Sequence, residues 1–482
     1  VRLCRDFFVN LPPNKKTDMT TFSKQTYESR RAVLRQRVGE GLIVIFGNNE
    51  VPYNYPANTY KFCQDSTFIY YFAQKRDGLV GVIDCESGDE WLIGNDIDID
   101  DIVWMGETPS VADMAAEIGV AHTAPMAKLA DLVNEARAKG RTVHFLPPYR
   151  HDIQIQIMDL MGIHPSKQKE AASLKLIHAV IDQRACKTAE EVAELEKAAK
   201  VGYEMHTTAM HKIREGVSEL EVAAEVNRVA CAHGYISFPT IFSMHGEILH
   251  GIPRENKLET GRLVICDSGC EIGSHYTSDN TRTMPVSGKF TERQKDIYNT
   301  VLAAHGHALT IAKPGVKWLD VHLAACRVLT ERLKELGLMC GDVDEAVAAG
   351  AHALFMPHGL GHMMGLDVHD MEALGQIYVG YDDEVRPSTQ FGTAFLRCGR
   401  RLQEGFVMSD EPGIYFIPQL IDEWRAKGLH KEFINYDKVE TYKDFGGIRL
   451  EDDILITADG CRLIGERQIP ITVEDVEAEM AK

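Results

Sequence analysis

The sequence predicts two folded parts, an α/β domain followed by a helix-rich α+β domain, and three observations predict them. From about Tyr27 to His178 short apolar strands alternate with helical stretches, the pattern of a layered α/β domain. After Cys186 the helices lengthen and open on capping sequences. The 482 residues, 44% of them hydrophobic, suffice for more than one core at a prior of about 150 residues per domain.

In the first part, Leu42 to Phe46 (LIVIF), Leu79 to Ile83 (LVGVI) and Val143 to Leu146 (VHFL) are the expected strands. In the second, Thr188-x-x-Glu191, Ser218-x-x-Glu221 and Thr291-x-x-Gln294 each fit a capping box, in which hydroxyl and acceptor satisfy each other's free backbone N–H groups. The boundary is placed near residue 176, giving parts 19–175 and 176–482. Residues 1–18 precede a Met at Met19; they are taken as a leader or appended segment and set aside from fold reasoning.

A faint repeat runs through the second part: Ile213-Arg-Glu-Gly-Val-x-x-Leu-Glu-Val222 resembles Ile311-Ala-Lys-Pro-Gly-Val-x-x-Leu-Asp-Val321. Two similar halves can build one site between them. Leu263 to Cys266 reads as a strand running into Asp267, and Gly447 to Thr457 (GIRLEDDILIT) alternates as a strand should.

Composition removes several classes of function. The net charge of −19 opposes nucleic acid and anionic lipid. The eleven cysteines are scattered and form no C-x-x-C pair, so they are expected as reduced thiols in the cytoplasm. No apolar run approaches the roughly 18 to 20 residues that span a bilayer, and residues 1–18 lack a secretory h-region.

Chemistry concentrates in four places. Asp267 ends an apolar strand and Asp279 lies across a Gly-containing hairpin, so their carboxylates converge. P-H-G-L-G-H-M-M-G-L-D-V-H-D carries His358, His362 and His369 among glycines that favour close backbone approach. S-D-E-P-G-I-Y sets Glu411 before a Pro-Gly turn, and in G-G-I-R-L-E-D-D strand periodicity puts Arg449, Glu451 and Asp453 on one face, opposite Ile448, Leu450 and Ile454.

A charged row under a core strand needs counterions. Asp267, Asp279, Glu411 and Glu451 with neutral His362 carry four negative charges, which two divalent cations balance. Oxygen-rich ligation with one imidazole and no thiolate favours Mn²⁺ or Co²⁺, with Zn²⁺ or Fe²⁺ as alternatives. Two such ions roughly 3.5 to 4 Å apart acidify a water and polarise a carbonyl, so the chemistry is metal-assisted hydrolysis.

These motifs, in this order, resemble the pita-bread metallopeptidases, and within them the branch holding Xaa-Pro aminopeptidase (aminopeptidase P) and Xaa-Pro dipeptidase (prolidase). The resemblance covers nearly all of residues 22 to 470 and implies an α/β N-terminal accessory domain plus an α+β pita-bread catalytic domain. It implies that Asp267 and Asp279 bind one metal, that Asp279 and Glu451 bridge, and that His362 and Glu411 complete the second ion's shell. By the same resemblance Glu411 is the general base, and His250, His358, His369 and Arg449 engage the substrate carbonyl and oxyanion. Tyr415 then lies in the substrate groove. Tyr60 to Phe72 and Asp100 to Glu107 look like the accessory domain of this branch, and the segment after Glu411 is similar to prolidases.

Two departures stand out. Twelve steps separate Asp267 from Asp279 where family members carry eleven, so the hairpin is expected to bulge. Asp410 stands beside Glu411, where it either perturbs the base or points into a neighbouring hydrogen bond. His206, His211, His305 and His307 are expected as surface or packing residues.

Because the bond before proline is a tertiary amide without an N–H, it calls for a dedicated pocket. The favoured reading is a dinuclear exopeptidase that removes the N-terminal residue ahead of proline. The alternatives are a dipeptidase for Xaa-Pro dipeptides and, in another class, a non-catalytic binding protein of the same fold. The expected partners are a proline-containing peptide, no nucleic acid and no membrane, and the resemblance implies a homodimer or homotetramer.

Overall fold

The computed structural model describes residues 20–482, so the leader expected at 1–18 lies outside the described residues. The chain divides into two compact units after Gln183.

The first unit is built on a mixed five-stranded sheet in the order His122–Ala124, Glu90–Ile93, Val80–Asp84, Leu42–Phe46, Val143–His144. Leu42–Phe46 runs antiparallel to Val80–Asp84 and parallel to Val143–His144. The helices Lys24–Val38 and Ser66–Phe72 contribute Leu34, Val38, Phe68 and Phe72 to its core. Gly81 is required in its strand because a Cβ there would meet the Phe72 ring at 2.1 Å. Arg31, wholly buried, donates to Glu90 Oε2 at 2.7 Å and to the carbonyls of Tyr71 and Ile118, so its charge is both paired and hydrogen-bonded.

The boundary expected between 175 and 176 falls inside the helix Leu174–Arg184. That helix belongs to the first unit: Tyr70 donates from its hydroxyl to the Gln183 carbonyl, and Gln183 Nε2 donates to Arg30 O. The division therefore lies at the helix end rather than its start.

In the second unit the three capping boxes form as expected, opening helices Ala189–Lys212, Glu219–His233 and Glu292–Ile311. The repeat is structural. Each copy is the end of one long helix, a break at a glycine of positive φ (Gly216 at 82°, Gly315 at 87°), and a second helix, Glu219–His233 or Trp318–Glu335. Leu263–Ser268 pairs antiparallel with Asn280–Pro285 and with Ile241–Ser243. Val407–Asp410 pairs with Asp452–Ile456, and Gly413–Tyr415 with Gly447–Arg449.

The single strand expected over 447–457 is thus two strands with a break at Leu450–Glu451. The break has a cause: Glu451 forms a bridge to Thr281 in the neighbouring sheet, which joins the two halves where the acids lie.

Candidate metal centre

The strand Leu263–Ser268 delivers Asp267, and its partner begins one residue after Asp279. The hairpin between them keeps one register, from Asp267↔Thr281 through Glu271↔Thr277. The additional residue is absorbed at the tip, where His275 N donates to Ile272 O at 2.8 Å and His275 takes a left-handed φ of 71°. A three-residue loop ending in a left-handed residue carries its irregularity at the turn, so both aspartates keep their places.

Asp279, His362 and Glu451 bring one ligand atom each within 4.8 Å of one another, all three buried. His362 Nε2 lies 3.5 Å from Asp279 Oδ2 and 3.8 Å from Glu411 Oε1. Asp267 and Glu411 line the same cavity of about 750 Å³, as do His250, His358, His369 and Arg449. Tyr415, expected in the substrate groove, instead lies behind the wall, wholly buried and outside the cavity lining.

Burial pushes the Asp279 and Glu451 carboxyls well above the usual carboxylate range, and the facing acids, Asp267 and Glu411 included, push them further. Asp267 Oδ1 and Asp279 Oδ1 are buried without a hydrogen-bond partner. Converging oxygens that repel one another, with orphaned lone pairs and one imidazole among them, fit divalent cations. The residues present therefore suit a pair of such ions.

The surroundings hold this set in place. Thr281 Oγ1 donates to Glu451 Oε2 at 2.7 Å, and the Asp279 backbone N–H donates to Asp453 Oδ2 at 3.1 Å. Ser409 Oγ accepts the His362 N–H at 3.0 Å. His369 stacks on His362 with ring centroids 4.0 Å apart, and its Nδ1 faces Glu372 Oε2 at 3.1 Å. His250 sits exposed at the rim.

Arg449 donates to Asp267 Oδ2 at 2.7 Å, to Thr281 Oγ1 at 3.2 Å and to the Tyr415 hydroxyl at 2.9 Å. The chain continues to His358. Its Nδ1 bonds the Gly359 carbonyl at 2.8 Å and so carries the proton, which leaves Nε2 to accept from the Tyr415 O–H at 3.0 Å. Burial, with Arg449 adding to it, lowers His358 to about 4, so the imidazole is neutral.

Asp410 does not enter the cavity. The strand Val407–Asp410 turns it to the opposite side from Glu411, toward His305 Nε2 at 3.8 Å and opposite Asp452 in register. Burial raises its carboxyl to about 7. His305 is therefore no surface residue: it is enclosed beside two acids, 3.4 Å from Asp452 Oδ2. His206 is likewise buried, facing the Ser268 carbonyl at 3.3 Å behind the Asp267 strand.

Sequence reasoning missed Thr281 and Arg282. Arg282, wholly buried, donates to the carbonyls of Thr281 and Glu451 and to Asp452 Oδ1 at 2.7 Å, tying the two halves together. The one available signal was the alternation in N-T-R-T after Asp279. Phe238, Pro239, Ile241, Phe391 and Phe395 form the apolar wall, with Arg397 beside them.

Residues 193–458 match metallopeptidase family M24, and residues 27–144 match the aminopeptidase P N-terminal domain. The chain is 30% identical to the Xaa-Pro dipeptidase of Homo sapiens over 467 residues, covering 92% of this chain and 90% of the relative. It is also 30% identical to the Xaa-Pro aminopeptidase of Escherichia coli strain K12 over 455 residues, covering 92% and 94%. Among solved structures, a zinc-substituted E. coli aminopeptidase P in complex with product and the Pseudomonas aeruginosa aminopeptidase PepP both superpose with TM-score 0.78 at 28% identity, covering 95% of this chain and 98% of theirs. Fold, domain order and site together place the chain in metallopeptidase family M24, as a hydrolase of the aminopeptidase P and Xaa-Pro dipeptidase type.

Proposed function

We propose that the chain is an Xaa-Pro aminopeptidase, releasing the N-terminal residue of peptides whose second residue is proline. Enzymes of family M24 act on peptides with a pair of divalent metal ions, and Mn²⁺ is the proposed ion because the ligands are oxygen-rich with one imidazole. Bound in this cradle, the two ions supply Lewis acidity toward the scissile carbonyl and lower the pKa of water.

The chain's own residues do the rest. Asp267, Asp279, His362, Glu411 and Glu451 hold the ions. Glu411, half-buried at the cavity wall, accepts the proton from the attacking water. Arg449 offsets the charge of Asp267 and, through Tyr415, fixes the His358 ring. The imidazoles of His369 and His250 contact the substrate, and the apolar wall of Phe238, Pro239 and Ile241 suits a proline ring. In the same reading, the unit ending at Gln183 is the accessory domain, the unit beginning at Arg184 is the catalytic one, and the enzyme is cytoplasmic. Among the described residues no helix is long and apolar enough to cross a membrane.

The observation that carries the reading is the convergence of four carboxylates and one imidazole on one cavity with an apolar wall. One feature favours the dipeptidase alternative: Arg397 at the cavity wall offers a cation to a free carboxylate, which sits next to the scissile bond only in a dipeptide. Turnover of Gly-Pro and of a Gly-Pro-initiated tripeptide by Mn²⁺-loaded protein separates the readings. Tripeptide cleavage supports the aminopeptidase, cleavage of the dipeptide alone overturns it in favour of the dipeptidase, and no metal-dependent turnover of either favours the non-catalytic class.

A further inference from the structure

A second set of ligating side chains, none of which lines the carboxylate cavity, lies elsewhere in the second unit. His322 and Cys326 stand one turn apart on the helix Trp318–Glu335, so their side chains project from one face. His352 reaches them from the 3₁₀ turn Ala351–Leu354. One atom of each, two imidazole nitrogens and Sγ, falls within 4.8 Å of the others, and all three residues are buried at 2% exposure or less.

The three residues are close enough to share one ion once the His322 ring turns to aim a nitrogen at it: Cys326 Sγ lies 3.7 Å from His322 Nε2 and 3.9 Å from its Nδ1. Zinc bonds of about 2.3 Å to sulfur and about 2.0 to 2.1 Å to nitrogen, at a tetrahedral angle, set a sulfur and a nitrogen ligand about 3.6 Å apart. Ordinary packing accounts for Cys326, which makes weak hydrogen bonds, but not for His352. Both of its ring nitrogens are buried with no partner, although one must carry a proton and the other a lone pair. Burial also lowers both imidazoles, His322 to about 3 and His352 to about 4, which keeps them in the neutral form that ligates.

We propose that His322, Cys326 and His352 bind one thiophilic cation, Cu⁺ or Zn²⁺, at a structural site separate from the carboxylate centre. Binding releases the Cys326 proton, since the thiolate is the ligand. With a thiolate and two neutral imidazoles, Cu⁺ leaves the buried site uncharged while Zn²⁺ leaves one positive charge, so charge balance favours Cu⁺. The cation ties the helix Trp318–Glu335 to the turn that leads, six residues on, to His358. The proposal does not depend on the peptidase reading.

The test supplies Cu⁺ in one arm and Zn²⁺ in another during folding of the full chain under reducing conditions, then fills the carboxylate centre with Mn²⁺. Unmodified protein is expected to retain one equivalent of Cu⁺ against a competing chelator. Cys326→Ser and, separately, His352→Gln are expected to lose that equivalent while keeping the far-UV spectrum of the parent and its Mn²⁺ content. X-ray absorption at the retained metal is expected to show one sulfur and two nitrogen neighbours. Retention in the Zn²⁺ arm with the same dependence on both residues supports the site and identifies zinc as its ion. No retention in either arm, retention unaffected by both substitutions, or a shell without sulfur overturns the proposal.

Discussion

Arg449 Nη2 stands 2.7 Å from Asp267 Oδ2, so the guanidinium is committed to a carboxylate of the proposed metal cradle. The same guanidinium bonds the Tyr415 hydroxyl, which in turn bonds His358. Tyr415→Phe removes the link while keeping the ring packed. We expect kcat to fall about tenfold or more, in line with the roughly 1.5–3 kcal/mol of a hydrogen bond to a charged group, with little change in melting temperature. An unchanged kcat would detach Tyr415 from catalysis.

Glu411→Gln keeps size and shape but removes the basic oxygen. Turnover of an Xaa-Pro peptide is expected to fall by at least the 10²–10⁴-fold typical of a lost general base, with circular dichroism unchanged. Activity within a factor of ten of the parent would reject Glu411 as the base.

The crowded acids around Asp279 and Glu451 predict that metal stabilises the fold. Loading at about 100 times Kd should add about 2.7 kcal/mol, read as a higher urea midpoint that chelation reverses. Glu451→Gln should weaken this response, because it removes an ionisable oxygen from the set. A chelation-insensitive midpoint would contradict the cradle.

Arg282→Met tests the clamp between the halves. Removing the guanidinium leaves Asp452 buried beside His305 without its 2.7 Å partner, and loss of one member of a buried ion pair costs about 3–5 kcal/mol. Denaturant unfolding should show a loss of that size. A change below about 1 kcal/mol would mean that His305 and Gln468, which donates to Asp452 Oδ2 at 3.2 Å, suffice to hold Asp452.

In the first unit, burial would raise the Asp84 carboxyl, but Arg141 donates to its two oxygens at 2.8 and 2.7 Å and the carboxyl falls from 3.8 to about 2. A depressed acid stabilises the fold above its unfolded value and loses that contribution as pH drops through the folded one. The stability gap between parent and Arg141→Met should therefore be full at pH 5 and smaller at pH 3. An equal gap at both would assign Arg141 a purely packing role.

Arg397→Met addresses specificity. If the guanidinium meets a dipeptide's free carboxylate, KM for Gly-Pro should rise about tenfold while a tripeptide's is unmoved, as expected for loss of one charge-assisted contact. Equal changes for both substrates would remove Arg397 from substrate discrimination.

The sequence by itself determined the helix starts, because a capping box is local: Thr188, Ser218 and Thr291 each meet a partner three residues on. It also singled out Asp267, Asp279, His362, Glu411 and Glu451, which the structure brings to one cavity, because carboxylates at strand ends and a histidine among glycines are written in consecutive residues. The tertiary structure alone decided which of two adjacent acids faces the cavity. Asp410 and Glu411 part to opposite sides of one pleat, and Asp452 and Asp453 do the same, but which side is inside depends on the strand paired with them. The same holds for Thr281 against Glu451, Arg282 across both halves, and His352 beside Cys326. These contacts join segments far apart in the chain, and their register is set by packing that no local pattern encodes.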